Sequence, residues 1–148
     1  MKKNFIKFAL DEAIKAEARM SVPVGAVVVM NDKIIAKAGN EVIKNNDPTA
    51  HAEILAIRRA CEFLDTTYLT KCDLYVTLEP CAMCAQAISL ARIRRLYFGA
   101  YDAKYGAVEH NAKVFDYALH KPEIVGGVME TECSDLLKKF FAKLKKVD

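Results

Sequence analysis

Leu74-Tyr75-Val76-Thr77-Leu78-Glu79-Pro80-Cys81-Ala82-Met83-Cys84 decides how this chain is organised. Leu74 to Leu78 is a short apolar run rich in strand-forming residues, which predicts a buried strand. Pro80 ends it and precedes a helix predicted over Cys81 to Ala91, because proline suits the entry to a helix and not its interior. Arg95 to Ala100 is a second apolar run and a second strand. A strand, a helix and a strand in immediate succession require a parallel strand pair joined by a crossover helix.

The flanking pattern extends this unit. Phe5, Phe8, Ala9, Glu12 and Ala16 recur at helical spacing, and Ile6, Leu10, Ala13 and Ile14 widen the apolar face, so residues 3–19 are a predicted helix. Val24 to Met30 and Lys33 to Ala38 are apolar, β-branched runs joined by Asn31-Asp32, the signature of an antiparallel hairpin. Asp47-Pro48-Thr49 punctuates the chain before a helix from about Ala50 to Phe63. Beyond Ala100, residues 101–123 are irregular with a short helix around Val114 to Leu119. Ile124 to Met129 is a weaker strand, and Ser134 to Lys146 is a helix. The expected fold is α/β: a three-layer α/β/α arrangement around a mixed five-stranded sheet. With no repeat, low-complexity tract or linker, residues 1–148 are expected to form one domain.

Composition narrows the functional class. Of 148 residues, 53% are hydrophobic and 28% charged, an ordinary globular balance. No apolar run approaches a membrane span, so no membrane partner is expected. Met1-Lys2-Lys3-Asn4-Phe5 lacks the apolar segment of a signal peptide, which points to a cytoplasmic protein. Five cysteines, an odd number, argue against a disulfide framework. Cys61, Cys72 and Cys133 read as small buried or half-buried thiols. The net charge of +3 does not by itself diagnose a nucleic-acid binder. Two basic clusters, Arg92, Arg94 and Arg95 and then Lys138, Lys139, Lys143, Lys145 and Lys146, can follow a phosphate backbone but are ordinarily solvated faces.

The remaining two cysteines carry the chemistry. Cys81 and Cys84 are three apart at a predicted helix start, so their sulfurs lie on one side. The helix N-terminus stabilises thiolates there. His51 is placed in the first turn of its own helix, two residues before Glu53. Two thiols and one imidazole make a three-ligand zinc set, and a catalytic zinc keeps its fourth position for water. Glu53 is not needed as a ligand and would move protons as a general acid and base. One Zn2+ per chain is expected.

His51-Ala52-Glu53 with Pro80-Cys81-Ala82-Met83-Cys84 resembles the signature of the zinc-dependent cytidine and nucleobase deaminases. Val22-Pro23-Val24-Gly25-Ala26, Gly39-Asn40, Asp47 to Glu53, Tyr75 to Cys81, Phe98-Gly99-Ala100 and Asp102-Ala103-Lys104 are similar to the bacterial tRNA-specific adenosine deaminases. They fall in the same order across residues 22 to about 106. The C-terminal Cys133-x-x-Leu136-Leu137-x-x-Phe140-Phe141 is similar as well.

The resemblance implies a cytidine deaminase-like fold and hydrolysis of the C6 amino group of adenine, giving inosine at the tRNA wobble position. It implies that Asn40 hydrogen-bonds the flipped base and that Val24 and Ala50 pack its pocket. The backbone around Pro80 and Cys81 would hold the hydrated base, and Asp102 and Lys104 would contact anticodon nucleotides. It also implies a homodimer acting on the tRNA anticodon stem-loop. Tyr101 stands where many members have Arg, Tyr105 where many have a small residue, and Val108-Glu109-His110-Asn111 departs from the usual small-residue stretch. Glu79 reads as a structural hydrogen-bonding group, and His110 and His120 as loop histidines. Deaminases of a free nucleobase or nucleoside, guanine or cytosine, share the ligand pattern and stay open as the alternative. A non-catalytic scaffold is disfavoured because Glu53 is present.

Overall fold

Gly25 and Gly39 are cross-strand partners, and a helix lies directly on both of them. In the computed structural model, which describes residues 4–145, that helix is α1, Ile6–Ala18, and the strands are β1, Gly25–Met30, and β2, Lys33–Gly39. Ile6, Ala9, Glu12, Ala13 and Ala16 form its buried face, at the spacing read from sequence. The small side chains of Ala9 and Ala13 and the absent ones of the two glycines let the helix backbone approach the sheet closely. A Cβ on Gly25 would overlap the Ala9 carbonyl oxygen, and one on Gly39 would stand 2.6 Å from that of Glu12.

Asn31 and Asp32 both have left-handed φ, 52° and 60°, and close the hairpin as a tight turn. After it come α2 (Val42–Asn45), α3 (Ala52–Leu64), β3 (Asp73–Leu78), α4 (Ala82–Leu90) and β4 (Arg95–Ala100). A 3-10 turn (Val114–Asp116), β5 (Glu123–Val125) and α5 (Glu130–Lys145) complete the chain. The sheet order is β2-β1-β3-β4-β5. β1 is antiparallel to β2 and β3, whereas β3, β4 and β5 run parallel. The mixed five-stranded sheet is therefore present as expected.

Alternation along the strands divides the core into two layers. Ala26, Val28, Leu74, Val76, Leu96 and Phe98 pack with α3 and α4 residues such as Leu55, Ala56, Ala85 and Ile88. Val27, Val29, Tyr75 and Ala100 pack on the opposite face with Phe5 and Ile6 at α1 and Cys133 of α5. β1 and β3 are covered on both faces, which explains their nearly uninterrupted apolar sequence.

The boundaries differ from expectation in four places. The predicted strand over Ile124 to Met129 is only Glu123–Val125. Gly127 and Met129 adopt positive φ, and the Val128 N–H donates to the Phe98 carbonyl, so the chain leaves the sheet. The last helix begins at Glu130 and not Ser134, because left-handed Met129 starts it and Glu130 and Glu132 suit its positive end. The predicted Val114 to Leu119 helix is a single 3-10 turn. The short α2 was not anticipated; Asn46 ends it in the left-handed conformation, φ 49°. Lys3 and Lys146, included in the predicted helices, lie outside the described residues.

Gly25→Ala tests the close approach of α1. The backbone of Ala9 cannot yield as a side chain would, so the variant is expected to lose about 1–3 kcal/mol. That corresponds to a melting temperature lower by roughly 3–10 °C. An unchanged melting curve by circular dichroism would mean that α1 shifts at no cost.

Candidate active site

Cys81 and His51 each occupy the residue just before a helix, with extended backbone: φ −73°, ψ 176° for Cys81 and φ −70°, ψ 153° for His51. Sequence reading placed both inside the first helical turn. The difference has a consequence for Glu53. Two residues apart within a helix, side chains diverge by about 200°. Because His51 is extended, its side chain escapes that rule, and His51 and Glu53 line one cavity.

His51 Nδ1 lies 3.6 Å from Cys81 Sγ and 3.5 Å from Cys84 Sγ. Zinc at about 2.3 Å from sulfur and 2.0 Å from nitrogen, with tetrahedral angles, sets N and S about 3.5 Å apart. All three ligand atoms fall within 4.8 Å of one another. The donor types and their spacing fit a single zinc ion held by His51, Cys81 and Cys84, with no fourth protein ligand in the group.

The charges are tuned by burial and by each other. The Cys81 thiol is held down to about 4, chiefly because Cys84 donates a hydrogen bond to it; burial opposes this and His51 reinforces it. The same hydrogen bond, with burial, pushes Cys84 up. Burial pushes the Glu53 carboxyl up to about 7, against a backbone hydrogen bond and with the negative Cys81 adding to the rise. A cation bound beside Glu53 would draw it back down. Without a cation its proton is exchangeable near neutrality, the range in which a general acid and base works.

The cavity above this centre has a volume of about 1100 Å³. Val24, Asn40, Asp102 and Lys104 line it, together with Ala52, Leu78 and the α5 residues Ser134, Leu137, Lys138 and Phe141. The Asn40 side-chain oxygen accepts from the Val42 N–H at 2.9 Å, which leaves its amide nitrogen as the remaining donor. Ala50 and Pro80, expected at the substrate site, are not among the residues lining the cavity. Ala50 is fully buried and its carbonyl accepts from the Glu41 N–H, while the Pro80 carbonyl accepts from Ala107. Ser134 and Leu137 escaped sequence reading as wall residues, although their helix did not.

Glu79 organises the rim. It is 2% exposed, and its carboxylate accepts from the N–H groups of Asp102 (3.1 Å), Val108 (3.1 Å) and Glu109 (2.9 Å), with His110 Nδ1 at 2.8 Å. Burial acts to raise its pKa, but these donors outweigh it and hold the carboxyl below its ordinary range. His110 thus serves Glu79, and His120 Nε2 bonds the Ile93 carbonyl at 2.7 Å, away from the cavity.

Comparison with known proteins agrees with this geometry. Residues 1–100 match the cytidine and deoxycytidylate deaminase zinc-binding region, and the chain belongs to that deaminase family. Within it, the chain groups with the tRNA-specific adenosine deaminases. It is 50% identical over 147 residues to the one from Agrobacterium fabrum, covering 98% of this chain and 96% of that protein. A solved structure from a study of A-to-I editing by tRNA:A34 deaminases superposes with a TM-score of 0.89 at 51% identity, covering 90% of this chain and 98% of the other. A guanine deaminase from Bacillus subtilis is more distant, with a TM-score of 0.65 and 37% identity over 72% of this chain and 79% of its own.

Glu79→Gln removes the charge while keeping the shape. Buried N–H donors lose their anionic acceptor, and the variant is expected to lose about 2 kcal/mol of stability in urea titration. Undiminished stability would show that the rim loop does not depend on that carboxylate.

Proposed function

We propose that the protein hydrolyses the C6 amino group of adenosine at the tRNA wobble position, giving inosine. The observation that carries this reading is the His51, Cys81, Cys84 and Glu53 cluster beside a cavity of about 1100 Å³, in a chain 50% identical to a tRNA-specific adenosine deaminase over nearly its whole length. Lys104, Lys138 and Lys145 also line the cavity, which suits an anionic strand. Extended similarity to tRNA-specific adenosine deaminases supports it. The second reading, a guanine deaminase, draws on the more distant relative.

Zinc, when held by His51, Cys81 and Cys84, lowers the pKa of a coordinated water toward neutrality. Glu53 accepts a proton as water adds to C6 and returns it to the departing nitrogen. The C6–N bond breaks, ammonia leaves, and the base retains oxygen at C6. Val24 closes one side of the base pocket, and Asn40 offers its amide N–H to a base acceptor. The N–H groups that open α4, after Pro80, face charge developing on the hydrated base. Asp102 and Lys104 hold neighbouring anticodon nucleotides.

The protein acts in the cytoplasm as a homodimer. Among the described residues no helix is long and apolar enough to cross a membrane. Phe63 on α3, Leu90 on α4, and Tyr117 and Leu119 beyond the 3-10 turn are exposed, which supports a surface for a second copy. Sedimentation should give twice the chain mass of 16.5 kDa; a monomer at micromolar concentration would reject the dimer.

The substrate test incubates the enzyme with an arginine-tRNA anticodon stem-loop bearing adenosine and, separately, with free guanine and cytosine. Inosine in the stem-loop alone is expected. Ammonia from a free base alone would replace this reading with the second. Glu53→Ala is expected to keep about one zinc per chain and lose turnover by roughly a thousandfold or more. Retained turnover would remove Glu53 from the chemistry.

A further inference from the structure

Tyr105 is 66% exposed, yet its backbone is among the most firmly held at the cavity rim. Asp102 Oδ1 accepts from the N–H groups of both Lys104 and Tyr105 at 3.1 Å. Gly106 N–H returns to the Asp102 carbonyl at 2.8 Å. From the far side, Asn111 Nδ2 reaches the carbonyls of Gly106 at 2.8 Å and of Ala103 and Lys104 at 3.3 Å. Glu79 anchors the whole turn through the Asp102 N–H. An exposed ring is thus carried on an immobilised loop, and Lys104 Nζ lies 5.2 Å from its centroid.

We propose that Tyr105 is a stacking platform for the base of a nucleotide adjoining the deaminated adenosine, with Lys104 placed for that nucleotide's phosphate. The inference rests on the RNA reading above and adds a residue to it. A nucleotide extruded into the cavity leaves its neighbours unstacked at the rim. Single-stranded RNA is recognised by bases laid on aromatic rings beside cationic side chains. The charges at the rim fit this ligand. Lys104, Lys138 and Lys145 line the cavity, whereas Glu53 and Glu79 are buried and Asp102 Oδ1 accepts from two backbone N–H groups. A ring on a rigid turn loses little freedom on binding, so the stacking energy is retained.

The test compares Tyr105→Ala and Tyr105→Trp with the parent enzyme on the anticodon stem-loop. Tyr105→Ala is expected to raise KM by about 10- to 100-fold, the range that loss of one stacked base gives, with kcat little changed. Tyr105→Trp should restore the parental KM, because any aromatic face serves. Two further stem-loops carry fluorescent 2-aminopurine, one on the 5′ and one on the 3′ side of the target. The parent should quench one of them, and Tyr105→Ala should not. Deamination by the parent together with an unaltered KM in Tyr105→Ala, or quenching that survives the substitution, overturns this inference alone. A parent enzyme inert on the stem-loop overturns the RNA reading and this inference with it. Unchanged melting temperature and zinc content confirm that the exposed substitution leaves the fold intact.

Discussion

A carboxylate buried at the end of β3 holds the catalytic mouth to the sheet. Glu79 would be costly there without partners, and the structure supplies four N–H groups from residues 102 to 110. Those donors belong to a segment with little regular structure of its own. The anion gives that segment a fixed point, two residues before Cys81. The metal ligands and the rim that meets substrate are therefore positioned from the same strand end. Asp102 and Asn111 then distribute the constraint through the turn.

The chemistry follows from helix starts. α3 and α4 both open beside the cavity, with His51 and Cys81 as the extended residues that precede them. Their free N–H groups and dipoles favour thiolate at Cys81 and negative charge on a reacting base. Glu53 lies in the first turn of α3 and is buried beside the ligands, and in the absence of a cation burial raises its carboxyl to about 7. Burial that would be a defect in a structural carboxylate here supplies a proton carrier.

Much of this was legible in the residues. Leu74 to Leu78, Pro80 and Arg95 to Ala100 implied a parallel crossover, and the hairpin through Asn31-Asp32 implied antiparallel neighbours. Both occur in the sheet. The His51, Cys81 and Cys84 grouping was visible because ligand type and helix position agreed. Boundaries set by positive φ were not visible: Met129 carries no signal for the left-handed region, and Asn46, which tolerates it, ends a helix of four residues, too short to show periodicity. His51 precedes its helix for a different reason: an extended residue before a helix and a first-turn residue look alike in sequence. The burial of Glu79 was also hidden, because its four donors come from residues 102 to 110, well beyond the strand that carries it. Tyr101 and Tyr105 depart from the resemblance in a segment expected to border the substrate channel, and both line the cavity.

The glycine pair beneath α1 has a consequence for how this protein can change. Gly25 and Gly39 leave no room for a side chain, because what they meet is helix backbone. Ala9 and Ala13 on α1 are limited by the same gap. These positions are coupled, and coupled sites do not respond additively. Mutational libraries that diversify one of them at a time will sample only losses here, whereas a shift of the helix by a joint change in both elements is the route by which the packing can drift.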